Sequence, residues 1–189
     1  MRTKQSEGAP IVSLKELKRK VPMNISMHAM SHDVFRKALT QLLFVMEKAV
    51  TNAKARNFET GVLVNARLAP DMLPLTRQVQ LASDFAKNSM ARLAGVDPPK
   101  FEDNETTMDE LFARVKKTLE YIDSVSAAAL EGSETRDIKI VLRDRTLEFK
   151  GLAFLQLWAI PNFFFHHVTA YNLLRHNGVD IGKRDFLGG

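Results

Sequence analysis

Three stretches of this chain repeat apolar or small residues at spacings of four and three, which restricts them to helices packed in a bundle. The first predicts a helix over residues 31–56, with Ser31 as its N-cap. The second predicts a helix over residues 74–94, and the third begins at a capping box of Thr107 and Glu110. The repeating positions are Phe35, Leu39, Leu42, Met46, Ala49 and Ala53, then Leu75, Val79, Ala82, Ala86, Ser89 and Leu93, then Leu111, Val115, Leu119, Ile122 and Val125.

The hydrophobic period changes in the last third of the chain. Apolar and polar residues alternate over 138–142 and again over 147–149, which predicts a β-hairpin. A fourth helix is predicted over residues 152–177. Pro161 should bend or split this helix, because its ring removes a backbone donor and clashes with the preceding turn. The sequence therefore predicts an all-α, up-down four-helix bundle with a small β-hairpin before the last helix.

The formal net charge of +5 is concentrated at the amino end of the chain. Residues 1–22 contain six basic and two acidic residues, so the remaining body is near +1. We predict a flexible basic extension over residues 1–22 and one domain over residues 23–189, with no basic face for nucleic acid. The chain has no apolar run near the length of a membrane span. It also has no cysteine, which excludes disulfides and thiolate ligands and fits a cytoplasmic location.

Five motifs carry a resemblance to known proteins. They are Asn65-Ala-Arg-Leu-Ala-Pro-Asp-Met72, Pro74-Leu-Thr-Arg-Gln-Val-Gln80, Pro99-Lys-Phe-Glu102, Pro161-Asn-Phe163 and Leu174-Arg-His-Asn-Gly-Val179. Together they resemble the DinB-like helical bundles, in particular a bacterial branch described only as a domain of unknown function. The likeness extends over residues 24–187. It implies the four-helix fold. It also implies that relatives commonly bind a divalent metal through three histidines, and that some of them transfer small thiols in a metal-dependent way.

The resemblance transfers to this chain only in part. In the DinB-like relatives, two of the metal-binding histidines lie on helix four. The resemblance places His166 at the second of these positions and Asn162 at the first. The helix-two histidine has no counterpart, since Gln78 and Gln80 are the nearest candidates. One imidazole with amides makes a weak site for zinc or nickel.

Polar side chains interrupt the apolar surface of the fourth helix along one stripe. At about 100° per residue, Asn162, His166 and Thr169 fall in a narrow arc with Trp158. Gln78 of the second helix can reach the same region. Because buried polar groups need partners, three interpretations stay open: a polar core network, a small-molecule pocket, and a metal site at His166.

The other histidines are assigned to different places. His167 is predicted on the opposite face, at the surface or an interface, and His176 in the last turn, where a cation favours the helix dipole. His28 and His32 have the i, i+4 spacing of a metal pair. The cap predicted at Ser31 nevertheless places both at or before the start of the helix.

Two further pairs of polar residues receive structural predictions. Gln80 and Asp84 fall on the outer face of the second helix, where they should meet solvent or a partner. Arg67 and Asp71 flank a proline in the connector and should pair to fasten that loop.

The leading functional hypothesis is a small-molecule-binding bundle whose pocket, between helices two and four, is lined by Gln78, Trp158, Asn162, His166 and Thr169. The first alternative is a divalent-metal-dependent transferase or hydrolase in which His166 holds Zn, Ni or Mn. The second alternative is a structural module that binds a protein partner. A homodimer is expected, because the fourth helix is apolar nearly all round.

Overall fold

Four long helices form the body of the molecule. They are α1 (Val34–Ala55), α3 (Leu75–Ala94), α4 (Met108–Ser124) and α6 (Ile160–His176) in this computed structural model, which describes residues 25–188. The extension predicted for residues 1–22 and the domain boundary at residue 23 lie outside the described residues.

Shorter elements connect the long helices. Helix α2 (Gly61–Val64) lies in the connector before α3, and α5 (Gly151–Phe154) leads into α6. A helix that the sequence did not predict, α7 (Lys183–Leu187), follows α6. Strands β1 (Asp137–Val141) and β2 (Thr146–Lys150) pair antiparallel, which confirms the hairpin before the last long helix.

Helix α3 lies between α4 and α6, and α1 packs on both of these neighbours to close the bundle. The predicted apolar repeats fill the space between the helices, with Leu42, Met46 and Leu111 fully buried. Each such side chain contributes roughly 1.5–3 kcal/mol when it leaves water. Ala82 and Ala86 are also fully buried, so their small side chains bring α3 close to its neighbours. The all-α four-helix bundle is therefore confirmed.

The amino end of the first helix differs from the prediction. Ser31 is not an N-cap, because the helix already runs through it: a π-helical turn over Ala29–Asp33 precedes α1. The Ser31 side chain is buried and its hydroxyl donates to the Met27 carbonyl at 2.6 Å. A hydroxyl that bonds one turn back inside a helix satisfies itself without ending it.

The proline of the last helix is accommodated without a break. The backbone keeps right-handed helical angles from Phe154 to Ile160 through a second π-helical turn, Leu155–Ala159, directly before Pro161. A wide turn changes the hydrogen-bond register where the proline lacks its N–H. The predicted split does not occur, and a π turn lies before the proline instead.

Both predicted helix-end signals of the central helices are present. Thr107 accepts from the Glu110 amide at 3.2 Å while the Glu110 carboxylate accepts from the Thr107 amide at 2.9 Å, which completes the capping box. Helix α3 ends at Gly95, whose φ of 77° is the left-handed conformation that glycine adopts at least cost. These ends fix the length of the α3–α4 connection.

None of the helices within residues 25–188 is long and apolar enough to cross a membrane.

Gly151 is required by a close backbone approach at the start of α5. A Cβ atom on Gly151 would lie 1.8 Å from the Ser133 carbonyl oxygen and 2.9 Å from its carbon. Neither the turn at Ser133 nor the helix can accept a methyl group there without moving. The junction between the hairpin and the last helix therefore requires a residue without a side chain at position 151.

We expect Gly151→Ala to lower the free energy of unfolding by about 3 kcal/mol, because the added methyl group overlaps backbone atoms. Gly61→Ala is the matched control: a Cβ there meets nothing within 4 Å, and its φ is not positive. It should leave stability unchanged or raise it slightly. Urea unfolding measures both, and equal effects of the two substitutions would contradict the close approach.

Candidate functional site

His166 of α6 and Gln78 of α3 meet across the interface of the two helices. The His166 Nδ1–H donates to Gln78 Oε1 at 2.8 Å, and Gln78 Nε2 donates to the Leu73 carbonyl at 3.1 Å. Because Leu73 fixes the orientation of the amide, Gln78 presents its oxygen to the ring. The proton of His166 is thereby held on Nδ1, and the lone pair is on Nε2.

The other polar residues of the predicted stripe bond within their own helix. Asn162 Nδ2 donates to the Trp158 carbonyl at 2.7 Å, beside Pro161, and the Thr169 hydroxyl donates to the Phe165 carbonyl at 2.6 Å. Such bonds one turn back satisfy each group locally. Of the five predicted site residues, the structure joins Gln78 and His166 directly.

Aromatic rings surround His166. The Phe85 ring stacks on it with centroids 5.6 Å apart, and the Phe165 ring meets it edge-on at 5.1 Å. Phe85 also lines a cleft of about 220 Å³ between α3 and the hairpin, together with Trp158 and Arg92 among others. Trp158 is the predicted site residue that lines this cleft, and His166 does not line it.

The electrostatics of the site keep His166 neutral. Burial lowers the pKa of His166, and the positive charge of Arg77 lowers it further. The ring nitrogen Nε2 makes no hydrogen bond within the described residues and is not one of their buried unpaired atoms. At neutral pH, His166 thus offers one unprotonated nitrogen as an acceptor.

The side chains at this position do not fit the three-histidine metal centre that the DinB resemblance implies. The Asn162 amide nitrogen is turned to a backbone carbonyl, and the Gln78 oxygen accepts from His166 itself. His166 Nε2 and the Asn162 amide oxygen are the ligand atoms that remain, and one imidazole with an amide oxygen is a poor ligand set for zinc or nickel. These residues therefore do not support metal-dependent chemistry at His166.

His167 corrects a prediction. It was expected at a surface or interface, but it keeps only 1% of its accessible area. Its Nε2–H donates to the Ala38 carbonyl of α1 at 2.9 Å, and its ring packs against Phe163 and Phe186. Phe186 belongs to α7, the helix that the sequence did not predict, and it covers the face that looked exposed. His176 lies exposed in the last turn of α6, as predicted.

A charged network that the sequence did not predict lies under the 96–106 connection. The side chain of Arg114 is 1% exposed and contacts Asp84, Asp103 and Glu105 at 2.9–3.0 Å. It also donates to the Glu102 carbonyl. Two features of the sequence could have indicated this network. One is the acidic run from Glu102 to Glu105, and the other is Arg114, which lies next to the apolar stripe of the third predicted helix.

This network corrects the prediction for the outer face of α3. Gln80 is 1% exposed and donates to Glu105 at 2.7 Å, and Asp84 pairs with Lys87 and Arg114. The 96–106 connection folds over Gln80, whereas Asp84 keeps 26% of its side-chain area exposed.

The predicted Arg67–Asp71 pair is replaced by another contact. Arg67 donates to the Met72 carbonyl, and no ion pair with Asp71 is present in the described part of the chain. Arginine still fastens the connector, but through the backbone.

We expect protonation of buried His167 to destabilise the fold in acid. Burial lowers the pKa of His167 to about 4, whereas an unfolded histidine has a pKa near 6.5. Between these values the unfolded state takes up a proton that the folded state does not. The free energy of unfolding should therefore fall as the pH drops from 6.5 to 4, by about 3 kcal/mol in total from this group.

Urea unfolding between pH 7 and pH 4 measures this effect. His167→Leu should remove the histidine contribution, so its stability relative to the parent should rise steadily below pH 6.5. In the exposed control His176→Leu, the free energy of unfolding should change with pH as it does in the parent. A pH-independent difference between His167→Leu and the parent would contradict the assignment.

Comparison with known proteins agrees with this architecture. The structure is similar to the crystal structure of a DinB family member protein from Shewanella denitrificans, with 40% sequence identity and a TM-score of 0.79. The similarity covers 86% of this chain and 92% of that chain. Among curated proteins, none matches the chain.

The family itself follows from the sequence match. Residues 27–187 match the family model described as "Domain of unknown function (DUF1993)", which spans all four bundle helices and the hairpin. The chain therefore belongs to the DUF1993 family, a domain of unknown function with a DinB-like fold.

Proposed function

We propose that this protein binds a small planar molecule on the face between α3 and α6, with His166 as the hydrogen-bond acceptor. The observation that supports this most is the paired arrangement of Leu73, Gln78 and His166. It holds the imidazole in one tautomer and leaves Nε2 without a partner in the described residues.

His166 differs from the core histidine His167 in its second ring nitrogen. His167 Nε2 donates to the Ala38 carbonyl and its Nδ1 is buried without a partner, whereas His166 Nε2 is not one of the buried unpaired atoms of the described residues. At His166 a glutamine, itself held by Leu73, directs the remaining lone pair outward. Groups held by second partners in this way are typical of binding sites.

The adjoining cleft fits the size of one ring. Its volume is about 220 Å³, and Phe85 and Trp158 give it flat apolar walls. Phe85 also stacks on His166, so a movement of this one ring would join the cleft to Nε2. A compact aromatic ligand with one N–H or O–H donor suits both features.

We expect phenol and benzamide to bind with Kd values of about 1 mM, the affinity of a single-ring ligand in a small cleft. Trp158 is the only tryptophan of the chain, so its indole N–H resonance reports the cleft without ambiguity. His166→Leu should weaken both ligands about fivefold, because one hydrogen bond is lost. His176→Leu should leave them unchanged.

Anisole supplies the ligand control, since it has the ring but no donor. Its affinity should be the same for the parent and for His166→Leu. The proposal fails if no ligand shifts the Trp158 resonance, or if His166→Leu affects anisole as strongly as phenol.

A second candidate is a homodimer formed through the last helix. Leu157, Phe165 and Val168 are 71%, 60% and 38% exposed. Their spacing of eight and three places them on one stripe of the helix. This exposed apolar stripe supports self-association as the partner interaction.

Light scattering after size exclusion tests the homodimer. We expect twice the chain mass of 21.3 kDa for the parent and one chain mass for Phe165→Glu, because a buried unpaired carboxylate opposes association. Val141→Glu on the hairpin, where Val141 is 80% exposed, is the matched control and should stay dimeric. A monomeric parent would end this candidate.

A further inference from the structure

The first turn of the first helix gathers three side chains that can bind a metal. The potential ligand atoms of His28, His32 and Asp33 all lie within 4.8 Å of one another. Asp33 Oδ1 is 2.8 Å from His32 Nδ1 and 3.9 Å from His28 Nδ1. Around a tetrahedral zinc ion such atoms lie roughly 3.4 Å apart, so small side-chain rotations would suffice.

The π-helical turn explains why these three residues meet. In an α-helix, position i+4 lies about 40° from position i, but position i+5 lies about 140° away. The wider turn over Ala29–Asp33 brings both His32 and Asp33 beside His28. The two imidazole rings stack with centroids 4.3 Å apart. Single π turns inside helices are often found at functional sites.

A carboxylate on another helix orients one of the imidazoles. His32 Nε2 lies 2.9 Å from Asp123 Oδ1 of α4, and Arg36 Nε donates to the same oxygen at 3.0 Å. With the Nε2 proton donated to Asp123, the lone pair of His32 is on Nδ1, which faces Asp33. Metal-binding histidines characteristically have such an outer carboxylate.

His32 and Asp33 already lie close enough to share an ion. A metal ion bound also by His28 would place a positive charge between His32 Nδ1 and the Asp33 carboxylate oxygen, which are 2.8 Å apart.

Space for an open coordination position lies beside His28. A cleft of about 420 Å³ borders it and is also lined by Glu131 and Glu134. Three protein ligands leave one position of a tetrahedral ion free for water or another small ligand. The cleft gives that position access to solvent.

We propose that His28, His32 and Asp33 form a binding site for a divalent transition-metal ion of the zinc type, with Asp123 as the outer partner of His32. Imidazole and carboxylate donors without thiolate suit zinc, cobalt and nickel. The three ligands lie in or just before the π turn that precedes α1, and Asp123 lies on α4, whereas the His166 face lies between α3 and α6, so the two proposals stand independently.

Calorimetric titration of the full chain, without a polyhistidine tag and after treatment with a chelator, tests the site with Zn²⁺ alone. We expect one equivalent to bind. Asp33→Asn and His28→Ala should each weaken binding at least tenfold, and Asp123→Asn about tenfold, as for other outer partners of metal-binding histidines. Asp33 and His28 are partly exposed, so these variants should keep the parent circular dichroism spectrum.

Cobalt provides a second readout, since a four-coordinate Co²⁺ ion with histidine ligands absorbs in the visible range. The absorption should appear with the parent and with the control variants His166→Ala and His176→Ala, and it should be absent with His28→Ala. Zinc binding weaker than about 0.1 mM, or an affinity that depends on His166 instead of His28, would overturn the proposal.

Discussion

The buried guanidinium of Arg114 ties together parts of the chain that are far apart in sequence. It reaches Asp84 on α3, and Asp103 and Glu105 in the connection that crosses between α3 and α4. The Arg114 side chain is 1% exposed, so removal of an acidic partner would leave part of a buried charge uncompensated. The network holds α4 against α3, and α3 in turn positions Gln78 beneath His166.

The helices and the hairpin could be predicted because their signals are local. Repeats of four and three, a capping box at Thr107 and a glycine after α3 each act within a few residues, and all appear in the structure where expected. The phase of the last helix likewise placed His166 toward the second helix, where Gln78 meets it. Because one fold serves many functions, the ligand proposal rests on the geometry of this pair and not on the fold.

The errors at His167 and on the outer face of α3 share one physical cause. In both cases a segment without a periodic pattern covers a face that the sequence predicted to be exposed. Phe186 of the short α7 covers His167, and the 96–106 connection covers Gln80. The Ser31 error is different. Serine is both a good N-cap and a residue that can bond back within a helix, and only the apolar burial of Met27 one turn earlier decides between them.

The two π turns give this fold a tolerance toward changes of chain length. Each adds about one residue to a helical turn, so deletion of one residue from Ala29–Asp33 would restore an ordinary turn and leave the preceding residues facing nearly the same way. The core from Phe35 onward would keep its packing. The turn at Leu155–Ala159 offers the same freedom between the hairpin and α6. Related chains can therefore differ by one residue at either point without rebuilding the interior of the bundle.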